Sequence, residues 1–99
     1  MFVIVQHRLT DPPSAFARGE RLKRGEGAPG DTRVLQFYPS QDRKFVTCLW
    51  ESNSVDDVQR YVDETLGDAS VNVSYPVESS AAFAATPAGI SSQARPVAA

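Results

Sequence analysis

A chain of 99 residues supports one domain, because a second would be too short to bury a core of its own. A 41% hydrophobic and 22% charged composition fits a globular chain and argues against wholesale disorder, while a net charge of -2 supplies no electrostatic footprint for nucleic acid. The single cysteine, Cys48, cannot close an intramolecular disulfide, so a reducing, cytoplasmic setting is the default expectation.

Met1 to Val5 is apolar but runs directly into Gln6, His7 and Arg8. That stretch is too short for a signal-peptide core or a membrane span and reads as a first strand over residues 2–9. Asp11-Pro12-Pro13-Ser14 offers an N-cap and prolines suited to a first helical turn. The helix that follows, over residues 14–24, is weakly patterned: Phe16 and Leu22 give little periodicity, Gly19 interrupts it, and Gly25 to Gly30 ends it. Residues 33–38 and 44–51 read as strands joined by the polar hairpin connection Pro39-Ser40-Gln41-Asp42-Arg43.

The second helix is the clearest element. Ser54 with Asp57 three residues on resembles a capping box. Val55, Val58, Val62 and Leu66 recur at helical spacing, joined by Tyr61, and Gly67 supplies the stop. Residues 71–77 alternate apolar Val71, Val73, Tyr75 and Val77 with polar Asn72 and Ser74, a strand with one drier face. Residues 1–78 thus form the domain, and residues 79–99 are an Ala/Ser/Pro-rich tail.

Strand, helix, strand, strand, helix, strand is the order of a ferredoxin-like α+β sandwich, with two helices on one face of a four-stranded antiparallel sheet. Two helices cover one sheet face only. Yet the first strand carries Val3, Val5 and Leu9 on one side and Phe2 and Ile4 on the other, and the third sets Val46, Cys48 and Trp50 against Phe45, Thr47 and Leu49. Either set left in water would be a large apolar patch, so a homodimer closed by a partner sheet is expected. The tail folding back over its own sheet is the alternative cover.

Over residues 2–77 this order resembles the dimeric α+β barrel superfamily. The stretch Asp42-Arg43-Lys44-Phe45-Val46-Thr47-Cys48-Leu49-Trp50-Glu51-Ser52-Asn53-Ser54-Val55-Asp56-Asp57-Val58 is similar to the hairpin-to-second-helix segment of its small uncharacterised members, which include nickel-binding proteins. The resemblance lies in pattern rather than in invariant residues. It implies either a cofactor-independent monooxygenase- or cyclase-like protein with a pocket for an apolar, aromatic small molecule, or a non-catalytic metal-binding or stress-associated dimer. Whether the chain is an enzyme stays open. Its second helix carries Arg60, Tyr61 and Val62 and no histidine, so nickel does not carry over residue by residue, and neither a metal site nor a cofactor is expected.

Taking the first and third strands to run side by side in one direction gathers His7, Cys48 and Trp50 at one rim, with Gln36, Asn72 and both helix N-termini near it and Tyr38, Phe45 and Tyr75 at the opposite rim. The ligand-binding candidates are therefore His7, Gln36, Trp50, Asn72, Tyr38 and Tyr75. His7, the one histidine, suits a base or proton carrier. Trp50 could stack on an aromatic ligand or simply fill core. Cys48 has no basic sequence neighbour and reads as an inert small hydrophobe. The basic run Arg18, Arg21, Lys23 and Arg24, interleaved with Glu20 and Glu26, reads as a solvated helix face. The expected partners are a second copy of the chain and a small-molecule ligand, with no nucleic acid and no membrane. In the tail, Phe83 and Ile90 are expected to anchor in a groove, more readily on the partner chain, with Pro87 and Pro96 limiting the entropy of the free segment.

Overall fold

The computed structural model describes residues 1–91. Four strands and two helices follow in the order β1 (Phe2–Leu9), α1 (Pro12–Arg24), β2 (Arg33–Pro39), β3 (Phe45–Glu51), α2 (Val55–Leu66) and β4 (Ser70–Pro76), with a single 3-10 turn, Gly67–Ala69, leading into β4. The helix ends are chemical. Asp11 accepts from the Ser14 amide (3.3 Å) with Pro12 and Pro13 in the first turn, and Gly25 closes α1 in the left-handed conformation at φ 73°. Ser54 Oγ accepts from the Asp57 amide (3.1 Å) at the start of α2.

The sheet order is β2-β3-β1-β4 and every neighbouring pair is antiparallel. This α+β arrangement is compatible with a ferredoxin-like fold. It also corrects one expectation: β1 and β3 run in opposite directions, pairing from Phe2↔Glu51 to Arg8↔Phe45. Each helical crossover returns the chain to the rim it left, making β1 parallel to β2 and β3 parallel to β4. The hairpin reverses β3 against β2, so β3, inserted beside β1, must oppose it.

The core lies between the sheet and the helices. Val3, Val5 and Leu9 of β1 and Val46, Cys48 and Trp50 of β3 meet Val58, Tyr61, Val62 and Leu66 of α2. Trp50 stands edge-on to Tyr61, with ring centroids 5.9 Å apart. By contrast α1 buries only Ala15 and Leu22, so it roofs β2 and β3 loosely. Arg18 ties the helices together by donating to the Leu66 carbonyl (2.8 Å) and pairing with Asp68 (3.3 Å). Gly67 sits at φ 56°, which calls for glycine; a Cβ there would lie 2.7 Å from Arg18 Nη1, the movable end of a long side chain.

The faces of β4 are reversed from what a buried dry face would suggest. Asn72 pairs across to His7 on the helix side, with Ser70 and Ser74 in the same alternation, while Val71, Val73 and Tyr75 lie on the open side. That open face also carries Phe2, Ile4, Phe45 and Leu49; Phe45 is 53% and Val73 57% exposed. Residues 77–91 form neither helix nor strand, and Phe83 is 96% exposed, so it does not anchor on its own chain. The rest of the tail expected over 79–99, residues 92–99 with Pro96 in it, lies outside the described residues.

Candidate functional site

A cleft opens between α1 and the sheet. His7, Val46, Cys48 and Trp50 form its floor, and Phe16, Gly19 and Lys23 of α1 with Phe37 of β2 form its roof and mouth. The enclosed space is about 40 Å³, inside a cleft whose free volume out to open solvent is about 490 Å³. As closed, it has room for a water-sized molecule but not for an aromatic ring. Phe16 meets Phe37 edge-on at 6.3 Å, Lys23 lies over the Phe37 ring at 4.8 Å, and Arg43 lies over the Phe16 ring at 5.0 Å. These side chains of α1, β2 and the hairpin cover the apolar interior.

His7 and Asn72 meet because they sit directly opposite each other on neighbouring strands. The His7 Nδ1 to Asn72 Oδ1 distance is 2.7 Å, and Asn72 Nδ2 donates to Asp63 Oδ1 at 2.9 Å. His7 is 4% exposed, and burial lowers its pKa below the usual 6.5, opposed by the Asn72 hydrogen bond and the Asp63 charge. The neutral imidazole is thus the form at neutral pH. Its Nε2 has no hydrogen-bond partner among the described residues, and the ring lines the cleft. On the same cleft Trp50, 1% exposed, has an indole N–H that is buried with no acceptor among the described residues. Burial pushes the Cys48 thiol up to about 12, so it is protonated and inert as a nucleophile.

Antiparallel pairing changes where the other candidates lie. His7 is opposite Val46 and Trp50 opposite Val3, four residues further along, roughly 13 Å at strand rise. They share a cleft by sharing a sheet face, not a rim. The N-termini of α1 and α2 lie at opposite rims for the same reason. Gln36, Tyr38 and Tyr75 pair with Leu49, Thr47 and Ile4 and belong to the open face, away from the cleft. Of the six candidates, the structure joins His7 to Asn72 by a hydrogen bond and sets His7 and Trp50 at separate points of one cleft.

Asp63, Gln59, Phe16 and Phe37 were not singled out by the sequence reading. Gln59 and Asp63 stand four apart on α2, and opposite them Ser70, Asn72 and Ser74 take the inward positions of β4. A polar stripe on a helix matched to polar inward positions of the next strand was the available signal. Among the described residues no three His, Cys, Asp or Glu side chains converge as metal ligands, and no helix is long and apolar enough to cross a membrane. No protein-family model matches the chain, and no curated protein is significantly similar to it. What fold and site define is a small α+β protein with one apolar, histidine-floored cleft and one bare sheet face.

Proposed function

We propose that this protein binds an apolar, aromatic small molecule in the cleft under α1 and works as a homodimer in the manner of the dimeric α+β barrels. One observation carries the ligand reading: Trp50, whose indole N–H is buried without an acceptor among the described residues, and His7, whose Nε2 makes no hydrogen bond among them, line a single otherwise apolar cleft. Buried polar groups are ordinarily bonded, so an unpartnered indole N–H and an unbonded imidazole nitrogen on side chains of one cleft favour an occupant with polar points on an apolar body. A ring enters by displacing Phe16 and Phe37, since the closed space of about 40 Å³ is too small for it. His7, neutral and unprotonated at Nε2, is the group able to take a proton or a hydrogen bond from that molecule.

The dimer reading is supported by the open face. Phe2, Phe45, Val71, Val73 and Tyr75 leave it apolar and exposed. Four strands of about seven residues make a footprint of roughly 400 Å². A stable interface needs about 800 Å² per partner, so the sheet alone falls short and the exposed tail with Phe83 and Ile90 is the natural supplement.

The sole tryptophan is a built-in reporter. Titrating the full chain with 1-naphthol and following Trp50 emission on excitation at its red edge should give a saturable change, reproduced calorimetrically. Light scattering at micromolar concentration should give twice the chain mass. No saturable binding up to the solubility of the probe would sink the ligand reading, and a monomer at every concentration the dimer reading.

A further inference from the structure

We infer that Asn72 and Asp63 are positioning residues that lock His7 in the Nδ1–H tautomer, so that the cleft selects a molecule presenting a neutral O–H or N–H donor to Nε2. The inference rests on the ligand reading above and adds what the ligand must carry.

The argument starts from the backbone of β4, whose polarity is fixed. The Ser74 amide donates to Gln59 Oε1 (3.0 Å), and the Asn72 carbonyl accepts from Gln59 Nε2 (2.9 Å). Those two bonds settle which end of the Gln59 amide is nitrogen. The same Nε2 donates to the Asp63 carboxylate at 3.1 and 3.0 Å, placing that carboxylate against β4. An ionised carboxylate only accepts, so the Asn72 atom facing it must be the NH2 group, as the 2.9 Å contact has it. Asn72 Oδ1 is thereby turned to the other side, where it also accepts from Ser70 Oγ (2.6 Å). An amide oxygen cannot donate. The 2.7 Å contact with His7 therefore requires the proton on Nδ1, leaving Nε2 with a lone pair.

The reverse arrangement, with Asn72 flipped, would set its oxygen against the Asp63 carboxylate, two acceptors facing each other, while the Ser70 hydroxyl could serve either orientation. The Asn72 hydrogen bond favours the charged form of His7 but is outweighed by burial, and no charged group touches the ring. Asp63 reaches it only through Asn72, Cys48 is protonated, and Glu20 and Lys23 at the cleft pair with each other at 3.2 Å. Burial keeps the ring neutral. A neutral acceptor in an apolar cleft discriminates against two kinds of guest: a hydrocarbon, which leaves Nε2 without a partner, and a carboxylate, which faces a lone pair with a charge.

One histidine makes the test unambiguous. In the ligand-free full chain at pH 7.5, the long-range 1H–15N spectrum of the imidazole should show Nδ1 protonated and Nε2 bare. Addition of 1-naphthol should shift Nε2, and 1-naphthol should bind about 5- to 10-fold more tightly than 1-methoxynaphthalene, as one neutral hydrogen bond allows. Asn72→Leu should release the tautomer toward Nε2–H and abolish that preference, whereas Ser70→Ala should keep both. If Asn72→Leu does not fold, the tautomer of the native chain and the probe pair decide alone. An Nε2–H or doubly protonated ring in the native chain overturns the inference even if both probes bind. Equal affinity for the two probes overturns the donor requirement while leaving the cleft reading intact. Failure of both probes to bind overturns the cleft reading on which the inference stands.

Discussion

Gly19 lies in the middle of α1, half-buried on the wall of the cleft, and a Cβ built there meets nothing within 4 Å. Alanine is favoured over glycine in a helix interior by about 1 kcal/mol, because glycine loses more backbone freedom on folding. With no neighbour in reach there is no overpacking to subtract. For the same reason the added methyl gains no packing contact. Gly19→Ala should therefore raise stability by about 1 kcal/mol, a rise in Tm of roughly 4–8 °C for a domain of this size. Thermal unfolding followed by circular dichroism, at two protein concentrations to separate any effect on association, measures it. The larger Gly19→Leu should stay folded and lose 1-naphthol binding, because its side chain extends into the space the ring needs. An unchanged or lowered Tm in Gly19→Ala would refute the open-wall geometry. Retained 1-naphthol affinity in a folded Gly19→Leu would place the ligand elsewhere.

Stability should also depend on pH through His7. Its folded pKa lies below the unfolded 6.5, so between those two values the unfolded chain binds more protons and stability rises with pH. Acidification through that window should cost at most about 1.4 kcal/mol per pH unit, and His7→Gln should remove this slope in urea titrations between pH 5 and 7.5. Val73→Lys, on the open face at 57% exposure, should change monomer stability by less than about 0.5 kcal/mol yet weaken self-association at least about 10-fold, as read by sedimentation equilibrium. Gly67→Ala forces a side chain onto φ 56° and against Arg18, and should cost about 2–3 kcal/mol in chemical denaturation; a loss under 0.5 kcal/mol would contradict the strained junction between α2 and β4.

Local chemistry is what the sequence by itself determined. Ser54, the valine spacing and Gly67 bound α2 at Val55–Leu66, and the alternation in residues 2–9 bounds β1, because caps and side-chain periods act within a few residues. The apolarity of both sheet faces was legible for the same reason, and the chain does leave one face bare. Strand direction was not. Nothing within β1 or β3 records that the hairpin reverses one against the other, and that reversal moves Trp50 away from the rim of His7. Nor did alternation in β4 say which side would face the helices; Gln59 and Asp63 on α2 decided it by bonding to Asn72 and to the Ser74 amide. His7 and Asn72 stand 65 residues apart in the chain and become cross-strand neighbours only when β4 is laid beside β1. A pairing of that span is set by closure of the whole sheet, so only the tertiary structure could join a histidine to the amide that orients it.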